Sequence, residues 1–174
     1  MGGDLETPLT EAAAAFLKSY LTRLPADHPH RRARVTAFAF GDSPALAKDL
    51  AALVLAGHKR ATASLPVQFE ADGAPLPEAG DVSIVTLGDG TPVAIIETTE
   101  VRLVPFGAVD AAFAAAEGEG DRSLAWWRAA HTAYFGRMLA RLGGRLDDTS
   151  LVVCERFRLL CAGDGQPIID APRA

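Results

Sequence analysis

Apolar and polar residues alternate along the 174-residue chain with helical and strand periods, and those periods predict its elements. From Glu11 to about Leu24, the residues Ala13, Phe16, Leu17, Tyr20, Leu21 and Leu24 form one helical stripe, with Thr10 as N-cap. Pro25 and the polar run Ala26 to Arg34 interrupt it and predict a loop, and Val35 to Phe40 reads as a short strand. Ser43-Pro44 is a helix-start signal, because the serine hydroxyl caps orphan amides and proline suits the first helical position. That helix runs to about Ala56 with Leu46, Leu50, Leu53, Val54 and Leu55 inward, and Gly57 is placed to stop it. A strand begins near Ala61, followed by a Gly/Pro-rich connection from Asp72 to Gly80.

Val82 to Leu87 and Val93 to Val104, joined by Gly88-Asp89-Gly90, make the clearest hairpin, ended by Pro105-Phe106. A short helix follows over Ala108 to Ala116, broken at Gly118 and Gly120. A longer helix runs from Ser123 to Leu142 and closes at Gly143-Gly144, and Thr149 to Cys161 returns to strand before a Gly-rich tail. The order does not alternate strand and helix regularly, and no Gly-x-Gly-x-x-Gly follows a strand, so a doubly wound nucleotide fold is disfavoured. The pattern predicts an α+β fold: a small mixed or antiparallel β-barrel with helices packed around it, plus an N-terminal helix. Residues 1–35 read as that helix and a linker, 36–162 as the main domain, and 163–174 as a tail, with one core for a chain of this length.

Composition narrows the function classes. With 49% hydrophobic and 22% charged residues the chain is not disordered. Its net charge of −5 tells against a general nucleic-acid coat, although it leaves room for a local basic cleft. Only Lys18, Lys48 and Lys59 are lysines, so few groups can supply a neutral amine. Cys154 and Cys161 lack metal-ligand spacing and read as buried free thiols. No apolar run approaches the roughly 18 residues of a membrane span, and Met1-Gly2-Gly3-Asp4 opens no secretion signal, so a cytoplasmic protein is expected.

Two segments concentrate chemistry. Gly57 to Ser64 supplies an amine on Lys59, a guanidinium on Arg60 and hydroxyls on Thr62 and Ser64. Thr62 and Ser64 share a face of a regular strand; Lys59 joins them only if the turn after Gly57 persists to about Arg60. The plain alternative is a solvated cationic turn. Glu117-Gly118-Glu119-Gly120-Asp121 places three carboxylates between helices, where crowding makes a general acid available or oxygen ligands hold a divalent cation. Alternatively, Glu119 and Asp121 serve the dipole of the next helix. On that helix Trp127, His131 and Tyr134 share one face, as core packing or as the wall of a nucleobase pocket. Glu155 and Arg156 fall on opposite faces of the last strand, and Arg156 is taken as the ligand contact. His28 to Arg34 reads as a solvated linker able to supplement RNA contact, and His28 with His30 as loop; no metal site is read.

In these segments the sequence resembles the ASCH-domain family, small proteins with a PUA-like β-barrel, over roughly Phe38 to Leu160. The likeness lies in Phe40-Gly41-Asp42-Ser43-Pro44, the Gly57 to Leu65 segment, Gly80-Asp81-Val82-Ser83-Ile84-Val85 and Ile95-Ile96-Glu97-Thr98-Thr99-Glu100-Val101. It continues in Glu117 to Asp121, Trp127-Arg128-Ala129-Ala130-His131 and Val153-Cys154-Glu155-Arg156-Phe157. The chain is similar to the long bacterial type, related to N4-acetylcytidine amidohydrolases that carry Gly-x-Lys-x-x-Thr. It departs from the short members by its first 35 residues and by His58 and Arg60 flanking the lysine.

The resemblance implies a hydrolase acting on a nucleoside or single-stranded RNA, without a cofactor. It assigns catalysis to Lys59, Thr62 and Glu117, with Glu119 as the alternative carboxylate; the reading of the residues themselves adds Arg60, Ser64, Glu119, Trp127, His131, Tyr134 and Arg156 as substrate contacts. For amide hydrolysis of N4-acylated cytidine, Lys59 serves as base, Thr62 attacks the acyl carbon and protonated Glu117 protonates the departing amine. Water then cleaves the acyl-enzyme. The alternatives are a ribonuclease, in which Lys59 and Arg60 stabilise the phosphorane and Glu117 or His131 moves protons, with a divalent cation possible, and a non-catalytic base-binding module.

Overall fold

The computed structural model describes residues 8–163; the opening Met1 to Asp4 and the Gly-rich tail beyond residue 163 lie outside the described residues. The elements are α1 Glu11–Leu21, β1 Val35–Phe38, α2 Pro44–Leu55, β2 Ala61–Ser64, α3 Pro66–Asp72, β3 Val82–Thr86, β4 Pro92–Pro105, α4 Ala111–Glu117, α5 Leu124–Arg141 and β5 Leu151–Ala162. The strands make one mixed sheet in the order β1-β3-β4-β5-β2, with β1 parallel to β3 and every other pairing antiparallel. The long β4–β5 ladder shifts register at Ile95/Ile96 and again between Thr98 and Glu100. Bulges of this kind bend a sheet and curl it toward a barrel. The α+β expectation therefore holds, with β1 and β2 as the two edges.

Local chemistry starts the helices where the sequence predicts. The hydroxyls of Thr10, Ser43 and Ser123 accept from the amides of Ala13, Leu46 and Trp126, and the carboxylate of Asp110 accepts from Phe113. The segment after Ser64, expected as strand leading into a connection, is instead helix α3: Pro66 takes its first turn and Gln68 accepts from the Leu65 amide at 2.7 Å.

The stretch from His28 to Arg34 also differs from the expected solvated linker. Helix α1 stops at Leu21 rather than near Leu24, because the Arg31 guanidinium takes the carbonyls of Leu21, Leu24 and Pro25 at 2.6, 2.7 and 2.8 Å. His30 is buried; its Nδ1 shares a 2.8 Å hydrogen bond with the Tyr20 hydroxyl, and its Nε2 lies 3.4 Å from Glu97. Burial dominates at both rings, holding the His30 imidazole below its ordinary value and pushing the Tyr20 phenol up to about 12. Arg34 pairs with Asp81 and donates to the Leu76 carbonyl. These side chains fasten α1 to the sheet. Ala13 and Tyr20 of α1 enter a core cluster with Val82, Ile84, Ile95 and Cys161.

Two further clusters frame the region of interest. One joins α2 to the sheet through Phe40, Leu50, Val54, Val85, Ile96 and Phe157. The other joins α4 and α5 to β2 and β5 through Ala61, Phe113, Trp127, Phe135, Val152 and Cys154. The chain segment from Gly57 to Arg60 runs between them.

Candidate active site

Lys59 reaches its position because α2 must stop. Gly57 adopts φ +73°, and the amides of His58 and Lys59 both turn back to the Leu53 carbonyl, at 2.9 and 3.1 Å. Extended structure begins one residue later: the Arg60 amide donates to Ala116 at 2.7 Å and the Arg60 carbonyl accepts from Phe157. The end of α4 is thus stitched to the start of β2, and the carboxylates after Ala116 arrive beside Lys59.

Only 2% of the Lys59 surface and 2% of Glu117 are exposed. Lys59 Nζ donates to Glu117 Oε2 at 3.2 Å and to Glu119 Oε1 at 2.7 Å, and it sits 5.1 Å from the centre of the Phe40 ring. Trp127 Nε1 donates to Glu117 Oε1 at 2.8 Å, and His131 Nε2 lies 3.5 Å from the same oxygen. His131 Nδ1 faces the Trp127 carbonyl at 2.9 Å, and the two rings stack at 4.1 Å. A carbonyl accepts only, so Nδ1 carries a hydrogen, and a favourable Nε2–Oε1 contact needs a proton on one partner. The arrangement is a buried amine held by two carboxylates, with an imidazole against the inner one.

The glycines between the carboxylates have a steric reason. A Cβ on Gly118, whose φ is +73°, would stand 2.2 Å from the His58 carbonyl oxygen. The loop packs directly on the backbone that carries Lys59. Gly120 makes room in the same way for the Trp126 ring, which a Cβ would meet at 2.2 Å. Asp121 is separate and exposed: it accepts from Ser123 at 2.8 Å, and that hydrogen bonding holds its carboxyl below the ordinary value. It serves the start of α5, as its alternative reading has it. The Lys59 amine lies between Glu117 and Glu119 and donates to both.

The other sequence candidates divide. Trp127 is 1% exposed, with Phe106, Phe113 and His131 against it; its ring is core and its indole N–H fixes Glu117, so it offers no free face for a base. Tyr134 is half-buried beside that cluster, and burial, then the Asp42 charge, raises its phenol. Arg60 is exposed and folds back on the Gly57 carbonyl at 2.8 Å. Arg156 lies on the other face of β5 from Glu155; its guanidinium rests 5.7 Å from the Phe113 ring and lines a hollow with Glu100, Arg102 and Asp110. Cys154 lines the same hollow, its thiol pushed up to about 12 by burial and by the Glu117 charge, and both cysteines are free and buried as expected. Among the described residues no group of His, Cys, Asp and Glu has the geometry of a metal site, and no helix is long and apolar enough to cross a membrane.

Thr62 is half-buried in β2 and makes no hydrogen bond to Lys59 or Glu117 among the described residues. It shares a strand face with half-buried Ser64, and its partner across the ladder is Glu155. The sequence reading set Glu155 beside Arg156 and took Arg156 as the ligand contact. Alternation along β5 already separated it from Arg156, and the register of β2 would have chosen between them.

Comparison with known proteins adds the lineage. A family model described as ASCH domain matches residues 36–161. The crystal structure of an ASCH domain from Lactobacillus crispatus JV V101 is 35% identical, with a TM-score of 0.82 over 88% of this chain and 96% of that one. Protein EF3133 from Enterococcus faecalis V583 is 31% identical, with a TM-score of 0.71 over 85% of this chain and 87% of that one. No curated protein matches. The motifs around Lys59, the sheet and these matches agree: the chain belongs to the ASCH-domain family.

Proposed function

We propose that this protein hydrolyses the amide of an N4-acylated cytidine, with Thr62 as nucleophile and the Lys59–Glu117–Glu119 cluster as the proton source for the departing amine. The observation that carries the reading is the buried lysine held between two carboxylates. The cluster carries no net positive charge, which suits a neutral nucleoside better than a phosphodiester. Arg60, the cation nearest in sequence, is turned to its own backbone and does not offset that balance. A ribonuclease would need the opposite local field.

The chemistry divides the labour differently from the sequence expectation, in which Lys59 is the base. Its ammonium already donates to both carboxylates, so in this reading Lys59 stands on the proton-donating side. When the C–N bond breaks, the nucleobase nitrogen takes a proton from the cluster, and Glu117, steadied by Trp127 and next to His131, passes protons inward. General acid–base assistance of this kind is worth about 10²–10⁴ in rate.

The test is direct. Incubated with N4-acetylcytidine, the protein is expected to release cytidine and acetate in equal amounts, followed by chromatography. Its rate is expected to change little between about 50 and 200 mM salt, because a neutral substrate displaces no counterions. Single-stranded RNA should stay intact, and Thr62→Ala should lose turnover while keeping the wild-type melting curve. A folded wild type that releases no cytidine, or that cuts RNA with steep salt dependence, overturns the proposal.

A further inference from the structure

The proposed reaction needs a group to take the Thr62 proton, and the sheet register brings one to it. Thr62 and Glu155 are direct partners in the β2–β5 ladder. Opposed residues of an antiparallel pair place their Cβ atoms about 4.5–5.5 Å apart on the same face. The Thr98 hydroxyl, reaching across from β4, donates to Glu155 Oε1 at 2.5 Å. Among the described residues, Oε2 has no hydrogen-bond partner and no basic side chain lies within salt-bridge distance of Glu155. Glu155 is half-buried, and no buried side-chain oxygen among the described residues is left without a partner, so Oε2 is open and free to accept a proton.

Its surroundings raise its proton affinity. Burial is the largest influence and pushes the carboxyl above its ordinary value; the Thr98 hydrogen bond works against that. The charged groups whose fields reach Glu155 are Asp81, at the foot of β3, which raises it further, and Arg34, before β1, which lowers it. Those two are paired with each other. Thr98 holds it through a hydroxyl, and Thr62 is its partner across the ladder.

We infer that Glu155 is the general base that deprotonates Thr62, an assignment that rests on the reading of Thr62 as nucleophile. As Thr62 Oγ bonds to the acyl carbon, its proton passes to the Glu155 carboxylate. The C–N bond then breaks and the amine nitrogen takes a proton from the Lys59 cluster. Water attacks the resulting ester, gives one proton back to that cluster, and the released Thr62 oxygen recovers the proton held by Glu155. The sum is amide plus water giving carboxylic acid plus amine. Base and acid thus come from different strands of the fold, which lets each keep its own environment.

The experiment is kinetics on N4-acetylcytidine with wild type, Glu155→Gln, Thr98→Val and Thr62→Ala. Glu155→Gln is expected to lower kcat about 10²–10⁴-fold with KM within about threefold. Thr98→Val keeps the carboxylate but removes a hydrogen bond that favours its ionised form. Its kcat is therefore expected to rise with pH along a limb displaced to higher pH, a shift that a merely structural Glu155 would not produce. If Glu155→Gln fails to fold, the Thr98→Val profile decides alone. An active wild type with Glu155→Gln within threefold of it, or with an unmoved limb in Thr98→Val, overturns this assignment and leaves the amidohydrolase reading standing. An inactive wild type overturns both.

Discussion

Replacing Lys59 with methionine is expected to abolish hydrolysis and to lower stability by about 3–5 kcal/mol, because it strands a charge that the fold has already taken out of water. Glu117 is as deeply buried as its partner, at 2% exposure, and stays fixed by the Trp127 indole, so it has no route to solvent when the ammonium is gone. Glu119, with 17% of its side chain exposed, can turn outward and contributes less to the penalty. For a chain of this size the loss corresponds to roughly 6–20 °C in melting temperature. The companion variant Lys59→Met with Glu117→Gln separates the two consequences. A neutral amide keeps an oxygen for the indole N–H and removes the stranded charge, so most of the stability returns while turnover does not. Urea denaturation of the single and double variants measures the coupling. A single variant as stable as wild type would show that the amine does not balance Glu117.

The convergence of Lys59 with Glu117 is a long-range event, and only part of it was legible in the sequence. Local signals fixed the elements that carry it: Ser43-Pro44 starts α2, Gly57 stops it, and Ser123 starts α5. The hairpin of β3 and β4 followed from its Gly-Asp-Gly turn, although every residue of β3 is buried and shows no alternation. The spacing of glycines between carboxylates marked a tight loop without saying what it was tight against. That answer, the His58 carbonyl, depends on how α4 meets β2. Helix α3 was missed because its seven residues, beginning at a proline, carry too few apolar positions to show a period, and it holds no fully buried residue. The roles of Arg156 and Glu155 were not separable in the sequence for a related reason. Alternation says that neighbours face opposite ways, and only the pairing of Thr62 with Glu155 says which way is inward to the hydroxyl.

Gly118→Ala should be the most damaging of the glycine-to-alanine changes among the described residues. The residue has φ +73°, which costs an L-amino acid about 1–2 kcal/mol. The new Cβ also lands 2.2 Å from the His58 carbonyl oxygen and 3.0 Å from the Lys59 amide. Both contacts are backbone, so neither can swing away; relief requires moving α4 off the start of β2, at a cost of about 1–3 kcal/mol more. That movement pulls Glu117 and Glu119 from Lys59, and hydrolysis is expected to fall further than stability alone explains. Gly120→Ala meets the ring of Trp126, which is 37% exposed and able to yield, so its penalty should be smaller. Gly136→Ala, inside α5 with nothing within 4 Å of the added carbon, should instead stabilise by about 0.5–1 kcal/mol through helix propensity. Thermal melts and turnover of the three variants check the ranking. Equal melting temperatures for Gly118→Ala and Gly136→Ala would mean that the loop does not lie against the lysine backbone, and the geometry of the buried cluster would have to be drawn anew.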